Sequence, residues 1–323
     1  MKVLVTGGAG YIGSVTTELL LDDGHEVVVF DNLERGHREA VDKRAGFRKG
    51  DLRDQDRISK VMSEVKPDAV MHFAAYALVP ESMEKPELYF RNNVVGGTNL
   101  AEAMYKNDVG KIVFSSTCAT YGQPEKVPIT EDVAQRPTNP YGESKLMFEQ
   151  TLKWYHELHG MTTVFLRYFN ACGATEKFGE DHDPETHIIP IILQVALGQR
   201  KQVKIYGDDY KTPDGTCLRD YIHIVDLAQA HILALKGKES GPFNLGTGNG
   251  YSVLEVVETA REVTGHPIPA EIAPRRPGDP AKLVAGADKA RKILKWKPQY
   301  DDLETIIQSA WNWHQAHPRG YKK

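Results

Sequence analysis

Lys2-Val3-Leu4-Val5-Thr6-Gly7-Gly8-Ala9-Gly10-Tyr11-Ile12-Gly13 opens the chain, and its reading decides the fold. Lys2 to Thr6 reads as a strand and Tyr11 to Asp22 as a helix that Gly24 ends. Between them Gly7, Gly10 and Gly13 form G-x-x-G-x-x-G. There the chain must turn tightly, let its backbone approach a pyrophosphate, and lay the helix against the strand, and side chains obstruct all three. Glycine-rich turns also join strands to helices without any ligand, so the weight rests on position, directly after the first strand.

Working outward, strands are expected at 26–31, 47–51, 69–74, 111–116 and 163–169, with helices over roughly 86–106 and 139–159. Alternation of this kind builds a doubly wound parallel sheet whose ligands lie at the carboxyl ends of its strands. Beyond Asn170 the rhythm breaks. Residues 173–186 are rich in Gly, Asp, Glu and Pro and read as a loop. Helices follow at 188–197, 226–235, 253–264, 288–294 and 303–314, with strands at 203–206 and 243–245. The expected organisation is an α/β Rossmann domain over 1–172, with return segments near 222–246, and a smaller α/β substrate domain over 173–323.

Composition narrows the function. Forty Lys plus Arg stand against 44 Asp plus Glu, a net charge of -4, so no basic field favours nucleic acid. The longest near-continuous apolar stretch, 188–193, contains Pro190 and is too short for a bilayer. Residues 1–6 enter a strand at once and leave no room for a signal peptide, which points to the cytoplasm. Cys118, Cys172 and Cys217 are too few and too scattered for a disulfide framework or a zinc site, and no metal is expected.

Asp31 ends the second strand 18 residues after Gly13, where it is placed to accept hydrogen bonds from an adenosine ribose. Its charge would repel a 2'-phosphate and so favours NAD over NADP, although Arg35 nearby argues the other way. Asp51 ends the third strand and is either a partner of the adenine amino group or a turn residue. Further on, Tyr141-Gly142-Glu143-Ser144-Lys145 places a phenol and an amine on one helical face. Asn139-Pro140 starts that helix and fixes Tyr141 in its first turn, where the helix N-terminus favours a tyrosinate. Bringing a phenol from a pKa of about 10 to about 7 takes roughly 4 kcal/mol, which Lys145 and a cationic nicotinamide ring would supply together. Ser115-Ser116-Thr117 closes the fifth strand, and a hydroxyl there either relays a proton or bonds local backbone. After a dinucleotide loop, the Tyr-Lys pair suggests an alcohol oxidised by hydride transfer.

These segments, with His72-Phe73-Ala74-Ala75 and Arg167-Tyr168-Phe169-Asn170, resemble the extended short-chain dehydrogenase/reductase family. Asp214-Gly215-Thr216, Arg219 to His223 and Arg275-Arg276-Pro277-Gly278-Asp279 are similar to its UDP-hexose 4-epimerases, and the likeness runs to Trp313 and His314. The resemblance implies that Tyr141 is the base at the sugar 4-hydroxyl, Thr117 its hydroxyl partner, and Lys145 a ligand of the nicotinamide ribose. It implies an NAD site made of Gly7, Gly10, Tyr11, Ile12, Gly13, Asp31, Asn32, Asp51, Leu52, Phe73, Ala74, Ala75, Asn93, Ser115, Tyr141, Lys145 and Tyr168. For the UDP-sugar it implies Thr117, Tyr141, Asn170, His187, Lys204, Ile205, Tyr206, Arg219, Tyr221, Arg276, Asp279 and Leu283. The implied reaction oxidises C4 to a ketone on bound NAD, turns the hexose about its bond to the phosphate, and returns the hydride to the other face, interconverting UDP-glucose and UDP-galactose. Family members commonly dimerise through helices corresponding to 86–106 and 139–159.

Departures from the family pattern are Thr117 for serine, Ala77 where some members have lysine, His187 for asparagine, and Leu283 where some carry tyrosine. The smaller Leu283 suggests room for an N-acetyl group, and hence UDP-GlcNAc and UDP-GalNAc as further substrates. Nucleotide-sugar dehydratases place an Asp-Glu pair after the strand-five hydroxyl, where this chain has Cys118-Ala119 and so lacks a carboxyl acid and base. Epimerisation of UDP-xylose, UDP-arabinose or UDP-glucuronate, a net dehydrogenase and a non-catalytic NAD sensor stay open as alternatives.

Overall fold

The computed structural model describes residues 1–276 and 279–322. Its first part comprises β1 (Lys2–Thr6), α1 (Tyr11–Asp22), β2 (Glu26–Asp31), β3 (Gly46–Lys49), α2 (Gln55–Val65), β4 (Ala69–His72), α3 (Val79–Glu84), α4 (Pro86–Tyr89), α5 (Gly96–Lys106), β5 (Lys111–Thr117), α6 (Pro140–His159) and β6 (Thr162–Tyr168). Then come β7 (Asn170–Cys172), α7 (Ile188–Ala196), β8 (Val203–Tyr206), β9 (Leu218–Arg219), β10 (Tyr221–His223), α8 (Ile224–Lys236), β11 (Gly241–Leu245), β12 (Tyr251–Ser252), α9 (Val253–Thr264), β13 (Ala270–Ala273), β14 (Lys282–Leu283) and α10 (Leu303–Ala316).

Seven parallel strands form the central sheet in the order β11-β6-β5-β4-β1-β2-β3. Strand order reverses between β1 and β4, which opens a crevice at their carboxyl ends. Both faces are covered, so strand residues of both parities are apolar. Val3, Val5 and Val29 join one core with Leu227 and Ala228 of α8. Leu4, Val28 and Phe30 join the other, with Ile58 of α2, Leu100 of α5 and Phe148 of α6. A third core gathers Ile192, Val203, Ile205, Val257, Ile307 and Trp311 from the second half. There the strands are short, paired as β10-β7, β12-β9-β14 and β13-β8.

The structure departs from the sequence expectations in several places. The third strand ends at Lys49 rather than 51, since Gly50 lies against the Phe30 ring and Asp51 turns to accept the Arg53 N–H. The fourth ends at His72 rather than 74, where Phe73 and Ala74 both donate N–H groups to the Thr6 carbonyl at 2.9 and 3.1 Å. Two further helices appear, α2, capped by the Asp54 side chain, and α3. The helix expected over 86–106 is interrupted by a π-helical stretch, Phe90–Val95, which carries Asn92 and Asn93. No helix of the described residues is long and apolar enough to cross a membrane.

Candidate active site

One cavity of about 1190 Å³ runs along the carboxyl ends of β1, β2, β4, β5 and β6 and on into the second half. Pockets for a single ligand usually hold about 300–1,000 Å³, so this one has room for two molecules. Gly7, Gly10, Tyr11, Ile12, Gly13, Asp31, Asn32, Asp51, Leu52, Phe73, Ala74 and Ala75 line one end. Ser115, Thr117, Tyr141 and Tyr168 line the middle, and Asn170, His187, Lys204, Tyr206, Arg219, Tyr221, Arg276, Asp279 and Leu283 the remainder. Three residues of the expected site stand behind the wall. Lys145 is 3% exposed, Asn93 is 3% exposed and Ile205 is 2% exposed, packed in the third core.

The glycine loop has the shape of a cradle. A Cβ on Gly7 would lie 2.4 Å from the Ala74 nitrogen and one on Gly13 2.2 Å from the Gly7 oxygen. On Gly10 it would meet only the Gly7 oxygen at 3.5 Å, so that backbone is open on its cavity side. No side chain caps the N-terminus of α1, whose first N–H groups thus suit a phosphate. The Tyr11 hydroxyl donates to the Gly173 carbonyl at 2.6 Å and anchors the loop to the second half.

Asp31 accepts the Ala9 N–H at 3.0 Å and the Leu33 N–H at 2.8 Å, while burial raises its pKa. A carboxylate has about four lone-pair sites, so acceptor capacity remains for a ribose. The cation expected to complicate that reading is engaged, since Arg35 Nη2 meets both oxygens of Glu81 at 2.7 and 2.8 Å and its guanidinium lies 4.3 Å from the Tyr76 ring centroid. Asp51 is held at about 2, chiefly by hydrogen bonds from Arg53, and also accepts from Asn32 Nδ2 at 2.9 Å. Cradle, ribose acceptor and cavity size fit a dinucleotide.

At the centre, α6 begins at the Asn139 cap, whose side chain accepts the Gly142 N–H at 2.8 Å and sets Tyr141 facing β5. Of the two readings of its hydroxyl the structure displays the local one, since Thr117 Oγ1 accepts the Ala119 N–H at 3.1 Å, while Thr117 also lines the cavity with Tyr141. Lys145 Nζ donates to the Ser115 carbonyl at 2.7 Å and lies 4.8 Å from the Phe114 ring centroid. Burial lowers Lys145 to about 7, against the pull of Glu149. Desolvation raises the Tyr141 phenol to about 12 before any cofactor charge acts on it, with the neighbouring Thr117 hydroxyl opposing the shift. Ser115 Oγ bonds the Tyr168 hydroxyl. Behind this centre Arg167 Nε and Nη2 grip both oxygens of Glu149 at 2.9 and 2.6 Å, and Ser116 Oγ donates to the same carboxylate at 2.5 Å. Asn93 bridges the Tyr76 backbone and Ser144 Oγ, and so props the wall.

In the second half Arg219 Nη2 donates to Asp279 Oδ1 at 2.5 Å, and the Arg276 guanidinium lies 3.9 Å from the Tyr206 ring centroid. Pro277 and Gly278 of the arginine segment lie outside the described residues. Asp220 makes no pair with Arg219. Its carboxylate accepts the N–H groups of Thr247, Gly248 and Ala285 and the Thr247 hydroxyl at 2.9–3.0 Å. Asn170 Nδ2 donates to the Asp220 carbonyl at 2.9 Å. His187, at the N-cap of α7, lies 2.9 Å from carboxylate oxygens of both Glu180 and Glu185. Glu34, Tyr76, Glu180 and His182 line the cavity and were missed by the sequence reading. For the last two a signal existed in the Glu180-x-His182-x-x-Glu185-x-His187 spacing.

Comparison with known proteins agrees with this layout. Residues 3–246 match the family model described as "NAD dependent epimerase/dehydratase family". The chain is 55% identical over 327 residues to a UDP-glucose 4-epimerase of Halalkalibacterium halodurans, covering 99% of this chain and 98% of the relative. A crystal structure of a UDP-glucose 4-epimerase superposes with a TM-score of 0.97 at 53% identity, covering 100% of both chains. That of the Bifidobacterium longum UDP-glucose 4-epimerase in complex with NAD+ and UDP does so with a TM-score of 0.95 at 42% identity, over 99% of this chain and 100% of the other.

Proposed function

The chain belongs to the NAD dependent epimerase/dehydratase family, and from that premise we propose that its cavity interconverts UDP-glucose and UDP-galactose at the sugar C4. It is an isomerase, and its cofactor is NAD. One observation carries the reading: Tyr141 and Thr117 sit midway along a single cavity, with a phosphate cradle at one end and Arg219 and Arg276 at the other.

Gly7, Gly10, Gly13 and Asp31 would hold NAD, which when bound would supply a reversible hydride acceptor for the sugar C4. The Tyr141 phenol takes the proton of the 4-hydroxyl and later returns it, with Thr117 as the hydrogen-bonding relay. Protonated Lys145, one helical turn on, supplies positive charge that favours the tyrosinate. Arg219 and Arg276 hold the diphosphate, and the Lys204 to Tyr206 segment holds the uracil, with Ile205 contributing backbone because its side chain is in the core. Asp279 and Asn170 serve the nucleotide ribose and the sugar-phosphate junction. With the diphosphate fixed, the 4-keto sugar turns about its bond to the phosphate, and a wall with few hydrogen bonds to one epimer permits this. Engagement of Arg35 by Glu81 and the charge of Asp31 favour NAD over NADP.

The division of labour follows the chain, with residues 1–172 and the returning α8 and β11 holding cofactor and the remaining segments holding the nucleotide sugar. Leu283 on the cavity wall favours a second reading, in which UDP-GlcNAc and UDP-GalNAc are also turned over. Exposed Tyr105 on α5 and Met147, Trp154 and Leu158 on α6 fit a homodimer sealed by a four-helix bundle. The net charge of -4 argues against a nucleic-acid partner, and the three free cysteines fit a reducing cytoplasm.

The test is to supply UDP-galactose to the purified protein without added coenzyme. UDP-glucose should form while no free NADH accumulates. Net NADH production would instead make the protein a dehydrogenase, and silence on UDP-hexoses with turnover of UDP-arabinose, UDP-xylose or UDP-glucuronate would reassign the sugar. Assaying the acetylated pair decides the second reading, and light scattering of Trp154→Glu, expected to be monomeric, decides the dimer.

A further inference from the structure

Glu180, His182, Glu185 and His187 come together at the cavity wall, three of them lining it. One ligating atom from each, two imidazole nitrogens and two carboxylate oxygens, all lie within 4.8 Å of one another. His187 Nδ1 is 2.9 Å from Glu180 Oε1 and 2.9 Å from Glu185 Oε1. His182 Nδ1 is 3.2 Å from Glu180 Oε1 and 3.7 Å from Glu185 Oε2. Tetrahedral zinc with bonds of about 2.0–2.2 Å separates its ligand atoms by about 3.3–3.5 Å, and with Glu185 Oε2 as its ligating atom the 2.9, 3.2 and 3.7 Å separations bracket that edge.

We propose that these four residues bind one divalent transition-metal ion, of the zinc class, at the N-terminus of α7. Two further observations support it. The His182 Nδ1 atom is shielded from solvent and has no hydrogen-bond partner, although two carboxylates stand within reach. The Glu180 and Glu185 side chains are only 6% and 3% exposed, and among the described residues neither meets a lysine or arginine. A divalent ion neutralises both carboxylates while leaving both imidazoles uncharged. The mixed nitrogen and oxygen donors select zinc, manganese or iron over magnesium or calcium. An ordinary cluster of ion pairs between two protonated imidazoles and two carboxylates is the competing arrangement, and it has no use for a metal.

The ion would tie the 180–187 segment to the first turn of α7 and fix the His187 ring against the cavity. It would also brace the glycine loop, because the Tyr11 ring meets His182 edge-on at 6.3 Å. Its task is positional. The chemistry at C4 is carried by other residues, so the site stands or falls apart from the proposed reaction.

The experiment loads tag-free protein with Zn2+, desalts it, and measures bound metal by elemental analysis, with Co2+ absorption as a second readout. Wild type should retain about one zinc per chain and show the intense visible bands of tetrahedral cobalt, and His182→Ala/His187→Ala should retain less than about a tenth as much. Glu185→Gln, which keeps an oxygen for the Thr186 and His187 N–H groups, guards against simple unfolding. Checked for native circular dichroism, it should bind zinc about tenfold or more weakly, as removing a direct ligand should cost at least what a supporting partner does. Wild type without metal after loading overturns the proposal, as does stoichiometric zinc in the double variant or unchanged affinity in Glu185→Gln.

Discussion

Arg219 and Asp279 lie 2.5 Å apart across 60 residues of chain, so the guanidinium proposed for the diphosphate is already held by the carboxylate proposed for the ribose. Such a pair fixes the arginine fork before substrate arrives, which reduces the ordering cost of binding.

Arg219→Ala should raise KM for UDP-galactose about thirty- to hundredfold, since hydrogen bonds to charged groups contribute about 1.5–3 kcal/mol and a bidentate contact lies at the upper end. Turnover at saturation should change little, because the anchor serves ground and transition states alike. Asp279→Asn should raise KM less. An unaltered KM in Arg219→Ala would take that residue out of substrate binding.

Tyr141→Phe removes the proton carrier and keeps the ring. Turnover should fall by about 10²- to 10⁴-fold with NAD content retained. Thr117→Ser should remain within about threefold of wild type and Thr117→Val should not, because serine keeps the hydroxyl proposed to relay the proton beside Tyr141 and valine lacks it. Equal activity in Thr117→Val and Thr117→Ser would confine Thr117 to capping Ala119.

Arg167 and Glu149 are 2% and 0% exposed and meet in a two-pronged ion pair, with Ser116 and Gln135 also donating to Glu149 and Arg167 to the Tyr121 hydroxyl. Removing one partner strands a buried charge, at a cost of about 3–5 kcal/mol for Glu149→Leu in denaturant unfolding. The double variant Glu149→Leu/Arg167→Met should lose clearly less than the sum of the two single losses. Simple additivity would show that the pair does not act as a unit.

His72, stacked on Phe114 and hydrogen-bonded to the Thr6 hydroxyl at 2.7 Å, is lowered to about 3 by desolvation and secondarily by the charge of Lys145. Between about pH 3 and 6.5 the unfolded chain holds a proton on this histidine that the native state does not. Its contribution is therefore complete above pH 6.5 and is lost as the pH falls through that window. Relative to His72→Gln, wild type should lose about 2 kcal/mol between pH 7 and 5. Parallel pH profiles for the two proteins would remove His72 as the source.

The large sheet was legible because its strands are apolar in both parities and alternate with helical patterns, one of them opened by the Asn139 cap. The Tyr141 and Lys145 pair was legible because a helix sets the two on one face. The alternation of Ile205 with Val203 already placed its side chain on the buried side of β8, which leaves only its backbone to face a ligand. What sequence could not display were relations between distant segments. The Ser115 carbonyl that takes Lys145, the Glu81 that occupies Arg35, and two-residue strands such as β9 and β12 arise only when the chain closes on itself. Desolvation of Tyr141 belongs to the same class, because burial is a property of neighbours.

The outermost strand of the large sheet, β11, is made some seventy residues after β6, with which it pairs from Val164 to Tyr168. A ribosome that has released only the first 172 residues has therefore produced a sheet with an open, apolar edge and with one face lacking the cover of α8. Until residue 245 emerges, that edge is available to any other strand, including the same strand of a neighbouring nascent chain. The two halves are thus a single unit of synthesis, and cutting the gene at the boundary suggested by function should yield an insoluble first half.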